Sequence, residues 1–286
     1  MPASAGSQAV RVLRLGPGER SEHADRVTVE APLEFQLHHP AFGGEALSFG
    51  ATMRTPGDDE ALAAGLLYGE GIIDRSQDLE AIESSTRRPN VVNVRLQAAV
   101  PLERPAAARQ FSAGSSCGIC GTTGMDATIA RTSLLRTAGN GKIALTVLFG
   151  LPARLRDSQA KFEHTGGIHA AGLFDYRGTL LAIAEDVGRH NALDKLVGGC
   201  LLSGALPLTD RVILLSGRVS YELVQKALRA GVSVLAAIGA PSSLAVNLAG
   251  TTGLTLVGFL RDGHCNAYCH TQRLAEPGVD AALCQT

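Results

Sequence analysis

Cys117 and Cys120 stand two residues apart within Gly114-Ser115-Ser116-Cys117-Gly118-Ile119-Cys120-Gly121-Thr122-Thr123-Gly124, a stretch of eleven residues holding four glycines and four hydroxyls. No regular element prefers that composition, so the pair is expected on a loop, spanning 113–124. A thiolate on such a loop can attack a persulfide, hold the sulfur as Cys-S-SH and release it to an acceptor, and exposure and a lowered pKa help each step. Residues 125–136 read as a helix whose amino end would favour the negative thiolate. Two other chemistries fit the same pair. Joined by Cys265, Cys269 or His270 it would complete a tetrahedral zinc site, although Cys265-x-x-x-Cys269-His270 is a loose ligand pattern. As a dithiol it would cycle through a disulfide, although that motif normally opens a helix near the amino end of a βαβ unit and here lies mid-chain.

A second concentration of reactive groups is Glu185-Asp186-Val187-Gly188-Arg189-His190-Asn191, five polar side chains in seven residues at a strand-to-helix junction. That density suggests a ligand site around Arg189 and His190. The competing structural reading has Asp186 capping the helix and Arg189 pairing with a carboxylate. His164 and His169 flank Gly166-Gly167, where backbone and imidazole can approach a ligand together; a lone histidine is as often a satisfied core residue. Cys200 shares a helix face with Leu193, Leu196 and Val197 and reads as a core thiol, while Cys284 sits in the terminal tail without an evident role.

The elements that must position these groups follow from periodicity. Residues 1–25 lack it and read as a mobile tail before the alternating run Arg26-Val27-Thr28-Val29. Thr55-Pro56-Gly57-Asp58 reads as a capping hydroxyl with a proline at the first helical position, starting a helix with Leu62, Leu66 and Leu67 on one face. A strand at Val91 to Leu96 completes an α+β subdomain over 26–112.

From Ile168 the pattern sharpens. A hairpin turns at Asp175-Tyr176-Arg177-Gly178, a helix runs from His190 to Leu202, and apolar runs at Arg211 to Leu215, Val232 to Ile238 and Leu254 to Leu260 alternate with helices at Tyr221 to Arg229 and Ser242 to Ala249. This is the βαβαβ signature of a parallel sheet within an α/β core over 125–286. Ligands gather beyond the carboxyl ends of such strands, which singles out Ser216-Gly217-Arg218, Gly239 to Ser243 and Arg261 to His264.

Composition narrows the function. The 286 residues are 45% hydrophobic, enough for a substantial core, and the formal net charge of −1 with scattered basic residues gives no footprint for a nucleic acid polymer or an anionic membrane. No segment offers the roughly 18 uninterrupted apolar residues of a spanning helix or the apolar stretch of a signal peptide, so a cytoplasmic location is expected. Six cysteines in a chain of this length suit sulfur, redox or metal chemistry better than a secreted disulfide framework.

Several stretches together resemble the FdhD family of formate dehydrogenase accessory proteins: Thr52-Met53-Arg54-Thr55-Pro56-Gly57-Asp58-Asp59 with Glu70-Gly71-Ile72-Ile73, Cys117-Gly118-Ile119-Cys120-Gly121, and Thr165-Gly166-Gly167-Ile168-His169-Ala170-Ala171. More specific are Glu185-Asp186-Val187-Gly188-Arg189-His190-Asn191-Ala192-Leu193-Asp194-Lys195, Ser220-Tyr221-Glu222-Leu223-Val224-Gln225-Lys226 and Leu256-Val257-Gly258-Phe259. Blocks in this order over residues 26–274 are hard to obtain by chance.

The resemblance implies a cytidine-deaminase-like layered α/β fold with a mixed, partly parallel sheet, and a homodimer acting as a sulfurtransferase. Sulfur would come from a cysteine desulfurase and pass to the bis-molybdopterin guanine dinucleotide form of the molybdenum cofactor before its insertion into formate dehydrogenase. Cys117 would bear the persulfide and Cys120 would receive or release sulfur. Cofactor binding would fall on Phe259-Leu260-Arg261-Asp262-Gly263-His264, together with His169, Arg189, His190, Ser216 and Arg218 of the strand-end reading, and GDP would bind as a cofactor fragment. Two further classes are a zinc-dependent deaminase-like hydrolase and a cofactor chaperone that transfers nothing. The hydrolase signature pairs His-x-Glu with Pro-Cys-x-x-Cys; here Ser116 precedes Cys117 and no His-x-Glu occurs.

Overall fold

A computed structural model describes residues 6–101, 139, 141–159, 162 and 165–276 of the chain. The Cys117 and Cys120 loop, the expected helix at 125–136, His164 and Cys284 lie outside the described residues.

Among the described residues regular structure begins at Ser7, not near Arg26. Strands β1 (Ser7–Gly16) and β2 (Glu19–Thr28) form an antiparallel hairpin with Ser7 opposite Thr28 and Gly16 opposite Glu19. Most of its residues are exposed on both faces, so it carries no clean apolar alternation for sequence reasoning to find.

Strands β3 (Ala31–His38), β4 (Leu47–Arg54), β5 (Leu79–Ser84) and β6 (Val91–Leu96) make a four-stranded sheet in the order β4-β3-β6-β5, with β3 and β6 parallel. Helix α1 (Asp59–Gly69) follows β4. Thr55 does not cap it. Gly57 and Asp58 both adopt left-handed backbone, at φ 107° and 56°, so the chain turns between Thr55 and the helix. Thr55 is instead buried against β9, described next: its amide donates to Asp186 Oδ2 at 3.0 Å and its Oγ1 accepts from the Val187 amide at 3.0 Å.

The remaining elements are β7 (Ile143–Ala144), α2 (Leu145–Asp157), β8 (His169–Asp175), β9 (Leu180–Asp186), α3 (Arg189–Leu202), β10 (Arg211–Leu215), α4 (Tyr221–Arg229), β11 (Val234–Ala237), α5 (Ser243–Thr252), β12 (Thr255–Arg261), β13 (His264–Cys269) and β14 (Leu274–Ala275). Six of these strands form a mixed sheet in the order β13-β12-β11-β10-β8-β9. Strands β10, β11 and β12 are parallel, as the alternating pattern requires, while β8, β9 and β13 join antiparallel.

Side chains alternate across this sheet with a period of two. Ile213, Leu215, Leu235, Ala237 and Leu256 pack with residues of α3, α4 and α5, including Leu193, Val224 and Leu248. Val212, Leu214, Val234, Ala236 and Val257 pack on the other face with Leu148, Leu151 and Leu155 of α2. The first of these cores also takes in Phe35, Leu37, Leu62 and Leu67, so the amino-terminal sheet and α1 share it. Helices α1 and α3 touch at two glycines. A Cβ on Gly65 would lie 1.8 Å from the Asp194 carbonyl oxygen, and one on Gly198 would lie 1.9 Å from the Ala61 carbonyl oxygen, so only glycine permits this approach. Among the described residues no helix is long and apolar enough to cross a membrane.

Candidate functional site

Because β10, β11 and β12 run parallel, their carboxyl ends and the loops that follow share one edge of the sheet. Strand β8 runs the other way, so its first residue, His169, lies at that same edge, opposite Asp186 at the end of β9. Three stretches far apart in sequence are thereby brought together. Ser216 locks β8 to β10: its amide donates to the Ala170 carbonyl at 3.0 Å and its Oγ accepts from the Ala170 amide at 2.9 Å. A Cβ on Gly217 would lie 3.3 Å from His169 Nδ1 and 3.8 Å from Arg189 Cδ, so imidazole and guanidinium stem flank a bare stretch of backbone. Two further bonds tie the neighbouring loops together, from the Gly239 amide to the Gly217 carbonyl and from the Phe259 amide to the Gly239 carbonyl, each 3.1 Å.

Phe259 sits at φ 52°, in the left-handed region, where the β12 and β13 ladder shifts register, and the residue is 37% exposed. A bulky residue held there is strained and marks a position that the surroundings over-determine. The rest of the expected segment behaves differently. Leu260 turns its side chain fully into the core beside α2. Arg261 and His264 pair across a two-residue turn in which Asp262 and Gly263 both have positive φ, the hairpin geometry that twisted strands favour. The segment is therefore a strand end and an exposed turn, not a loop beyond the strand, and among its residues Phe259 is the exposed side chain beside the Gly239 loop.

Asp186 holds the strand-to-helix junction. Its Oδ1 accepts from the Gly188 amide at 2.9 Å and Asn191 Nδ2 at 3.0 Å, and its Oδ2 lies 2.8 Å from Lys195 Nζ. Gly188, not Asp186, is the N-cap residue of α3. Arg189 makes no ion pair with a carboxylate among the described residues, and its Nε is buried without a hydrogen bond there. His190 turns away from the cleft: its Nε2 lies 3.0 Å from Glu222 Oε2 and 3.1 Å from Ser220 Oγ, at the amino end of α4. Arg218 is exposed on the loop after β10.

Burial lowers the His169 pKa, the positive charges of Arg189 and His190 lower it further, and Asp186 opposes them in part. At neutral pH His169 is thus an uncharged imidazole with one donor and one acceptor nitrogen. It opens on a cleft of about 650 Å³ that also reaches Ser216, Gly167, Arg156, Gln159 and Phe162. The last three belong to α2 and the chain just after it; apolar helix periodicity gives no hint of their role.

The carboxy-terminal cysteines that the zinc alternative invokes stand on opposite sides of the sheet, while their proposed partners Cys117 and Cys120 lie outside the described residues. Cys265 packs on the α2 side of the sheet and Cys269 on the other, with Cys269 Sγ against the Val246 carbonyl, and burial raises the pKa of both thiols. Among the described residues no three His, Cys, Asp or Glu side chains are grouped to hold a metal ion. Cys200 is a buried core thiol as the helix face predicts, and burial raises its pKa as well.

The FdhD/NarQ family model matches residues 29–275, which include every block quoted above. The chain belongs to the FdhD/NarQ family. Curated relatives named Sulfur carrier protein FdhD include one from Streptomyces avermitilis, 46% identical over 93% of this chain and 94% of the relative, and one from Saccharolobus solfataricus, 38% identical over 92% and 96%. A crystal structure from Desulfotalea psychrophila, assigned as a formate dehydrogenase accessory protein, superposes with a TM-score of 0.73 at 24% identity, covering 94% of this chain and 100% of that one. The FdhD/NarQ fold thus places His169, Gly217, Arg189 and Phe259 at one edge of the mixed sheet.

Proposed function

We propose that this chain is a sulfur carrier for formate dehydrogenase maturation, with Cys117 as the persulfide-bearing residue and the strand-end cleft as the place of delivery. The observation that carries the reading is the meeting of His169 with Gly217 and Arg189 at the strand ends, where His169 opens on that cleft, in a chain whose relatives are named as sulfur carriers over nearly their whole length.

The donor is a cysteine desulfurase. Attack by the Cys117 thiolate on the outer sulfur of the donor persulfide breaks the donor S–S bond, leaves the donor cysteine as thiolate and forms Cys117-S-SH without net oxidation. Cys120 is the second thiol, which receives or releases the sulfur. The acceptor is bis-molybdopterin guanine dinucleotide, bound as substrate before insertion into formate dehydrogenase. Arg189 and Arg218 supply positive charge, and the amino ends of α3, α4 and α5, capped by Gly188, Ser220 and Ser242, open on the same edge, an arrangement that favours diphosphate without a P-loop. The uncharged His169 offers hydrogen bonds without competing for the phosphates. The working unit is a cytoplasmic homodimer whose layering follows the cytidine deaminase plan.

Intact mass after incubation with a cysteine desulfurase and cysteine tests the reading. A gain of one sulfur is expected; bound zinc would favour the hydrolase and neither signal the chaperone. Calorimetry should find GDP binding and ATP binding much more weakly, and equal affinity would remove the guanine-selective site.

A further inference from the structure

Strands β1 and β2, ten residues each, form a sheet of two, and among the described residues no other strand pairs with either. Leu13 is 44% exposed, Leu15 69% and Val27 42%. A two-stranded sheet without a covered face is marginally stable in water, and a long open edge is a template for another strand. The hairpin is rooted beside the cleft: Thr28 Oγ1 lies 2.8 Å from Thr165 Oγ1 and 3.3 Å from the carbonyl oxygen of Gly167, a residue that lines the cleft.

Charge indicates what fits the open edge. Across the hairpin no charged side chain of β2 stands opposite a countercharge: Asp25 faces Val10, Glu22 faces Leu13, Arg26 faces Ala9 and Arg20 faces Leu15. Strand β2 instead complements itself. Opposed residues of an antiparallel pair share a face, so a two-fold axis normal to the sheet must pass through a residue. With the axis at Ala24, His23 meets the partner's Asp25 and Glu22 meets the partner's Arg26, each twice by symmetry. An axis at Glu22 sets Glu19 against Asp25, one at His23 sets Arg20 against Arg26, and one at Asp25 sets that carboxylate against its own copy. An axis at Ser21 also matches charges, but it overlaps β2 with itself only over 19–23, whereas Ala24 gives 20–28.

We infer that β2 is the seam of a dimer with a second copy of this chain, the two hairpins joining into one four-stranded antiparallel sheet in the order β1-β2-β2-β1 with Ala24 on the axis. The partner's Arg20 stands opposite Thr28, and through Thr28 beside Gly167, so each copy brings a cation to the rim of the other's cleft. The inference rests on the homodimer of the reading above and gives it a seam.

The experiment is light scattering and sedimentation of the full chain, with oxidative cross-linking of Ala24→Cys and Ser21→Cys. The natural chain should show twice the chain mass at micromolar concentration. Ala24→Cys should form a covalent dimer, joined at the introduced thiol by peptide mass and absent from the natural chain treated in the same way. Ser21→Cys should not, because the seam separates its two copies by about 20 Å. Glu22→Arg and Arg26→Glu should each weaken the dimer about tenfold or more, and mixing the two should restore it, since the mixed dimer again sets arginine against glutamate. Where Arg26→Glu disturbs the hairpin through its lost bonds to Ser7, Ala24→Cys and Glu22→Arg still decide. A monomeric natural chain, a dimer that cross-links through Ser21→Cys or through neither thiol, or an unchanged dissociation constant in Glu22→Arg overturns the seam. So does cross-linking at this edge only to an added desulfurase or formate dehydrogenase. Sulfur gain scores the carrier reading separately: cross-linking without sulfur gain sinks the carrier reading and leaves the seam, and sulfur gain without cross-linking sinks the seam alone.

Discussion

Lys195 Nζ lies 2.8 Å from Asp186 Oδ2, and both side chains are closed to solvent. The same ammonium donates to the Thr55 carbonyl at 2.8 Å, while the same carboxylate accepts from the Thr55 amide, the Gly188 amide and Asn191 Nδ2. One buried ion pair therefore ties the segment after β4 to the end of β9 and to α3, and so fixes where Arg189 leaves the sheet. Removing one partner leaves an uncompensated buried charge. Lys195→Met should cost about 3–5 kcal/mol in urea denaturation. A cost below about 1 kcal/mol would show that the junction is held by something else.

The crossing of α1 and α3 gives a second expectation. Alanine at Gly65 or Gly198 would drive a methyl group into the backbone of the other helix, at 1.8 Å and 1.9 Å from a carbonyl oxygen, and backbone cannot yield as a flexible side chain can. Each substitution should destabilise by about 3 kcal/mol or prevent folding, read as a lowered thermal midpoint. An unchanged midpoint would contradict the close approach.

His169 sets a pH dependence. Its pKa in the folded protein lies below the ordinary histidine value because of burial first and the Arg189 and His190 charges next, with Asp186 opposing. Between the unfolded value of about 6.5 and the lower native value, the unfolded chain binds more protons than the folded one. The stability that His169 contributes is therefore present above that unfolded value and is lost as pH falls through the native one. Urea midpoints should fall as pH falls across that window in the natural protein and fall less in His169→Gln, and an NMR titration should place the His169 ring below the ordinary histidine value. A His169 that titrates above the ordinary histidine value would refute the assigned environment.

Cys117→Ala should abolish both sulfur gain by mass and formate dehydrogenase maturation while the circular dichroism spectrum is retained. For Cys120→Ala a severe but incomplete loss is expected, because one thiol holds sulfur but hands it on less efficiently. Retained maturation in Cys117→Ala would remove Cys117 from the mechanism.

The sequence by itself determined the elements whose periodicity is unambiguous. Helix Tyr221–Arg229 and strands Arg211–Leu215 and Val91–Leu96 fall where apolar spacing puts them, because each buries a strict face or a short apolar run. It also determined the family, since several ordered blocks are readable without coordinates. The exposed hairpin β1 and β2 escaped it because strands wet on both faces carry no period.

Only the tertiary structure decided which motif residues meet. Sequence placed His190 beside Arg189 at one ligand site, but one residue along a helix rotates a side chain by about 100°, and His190 turns to Glu222 while Arg189 stays beside Gly217. Thr55 reads as a helix cap and is instead a clamp for Asp186, because the left-handed turn at Gly57 and Asp58 directs the chain elsewhere. Gln159 and Phe162 carry no motif of their own. They reach the cleft because α2 packs across one face of the mixed sheet, and that packing of distant apolar residues is a non-local fact that no local window contains.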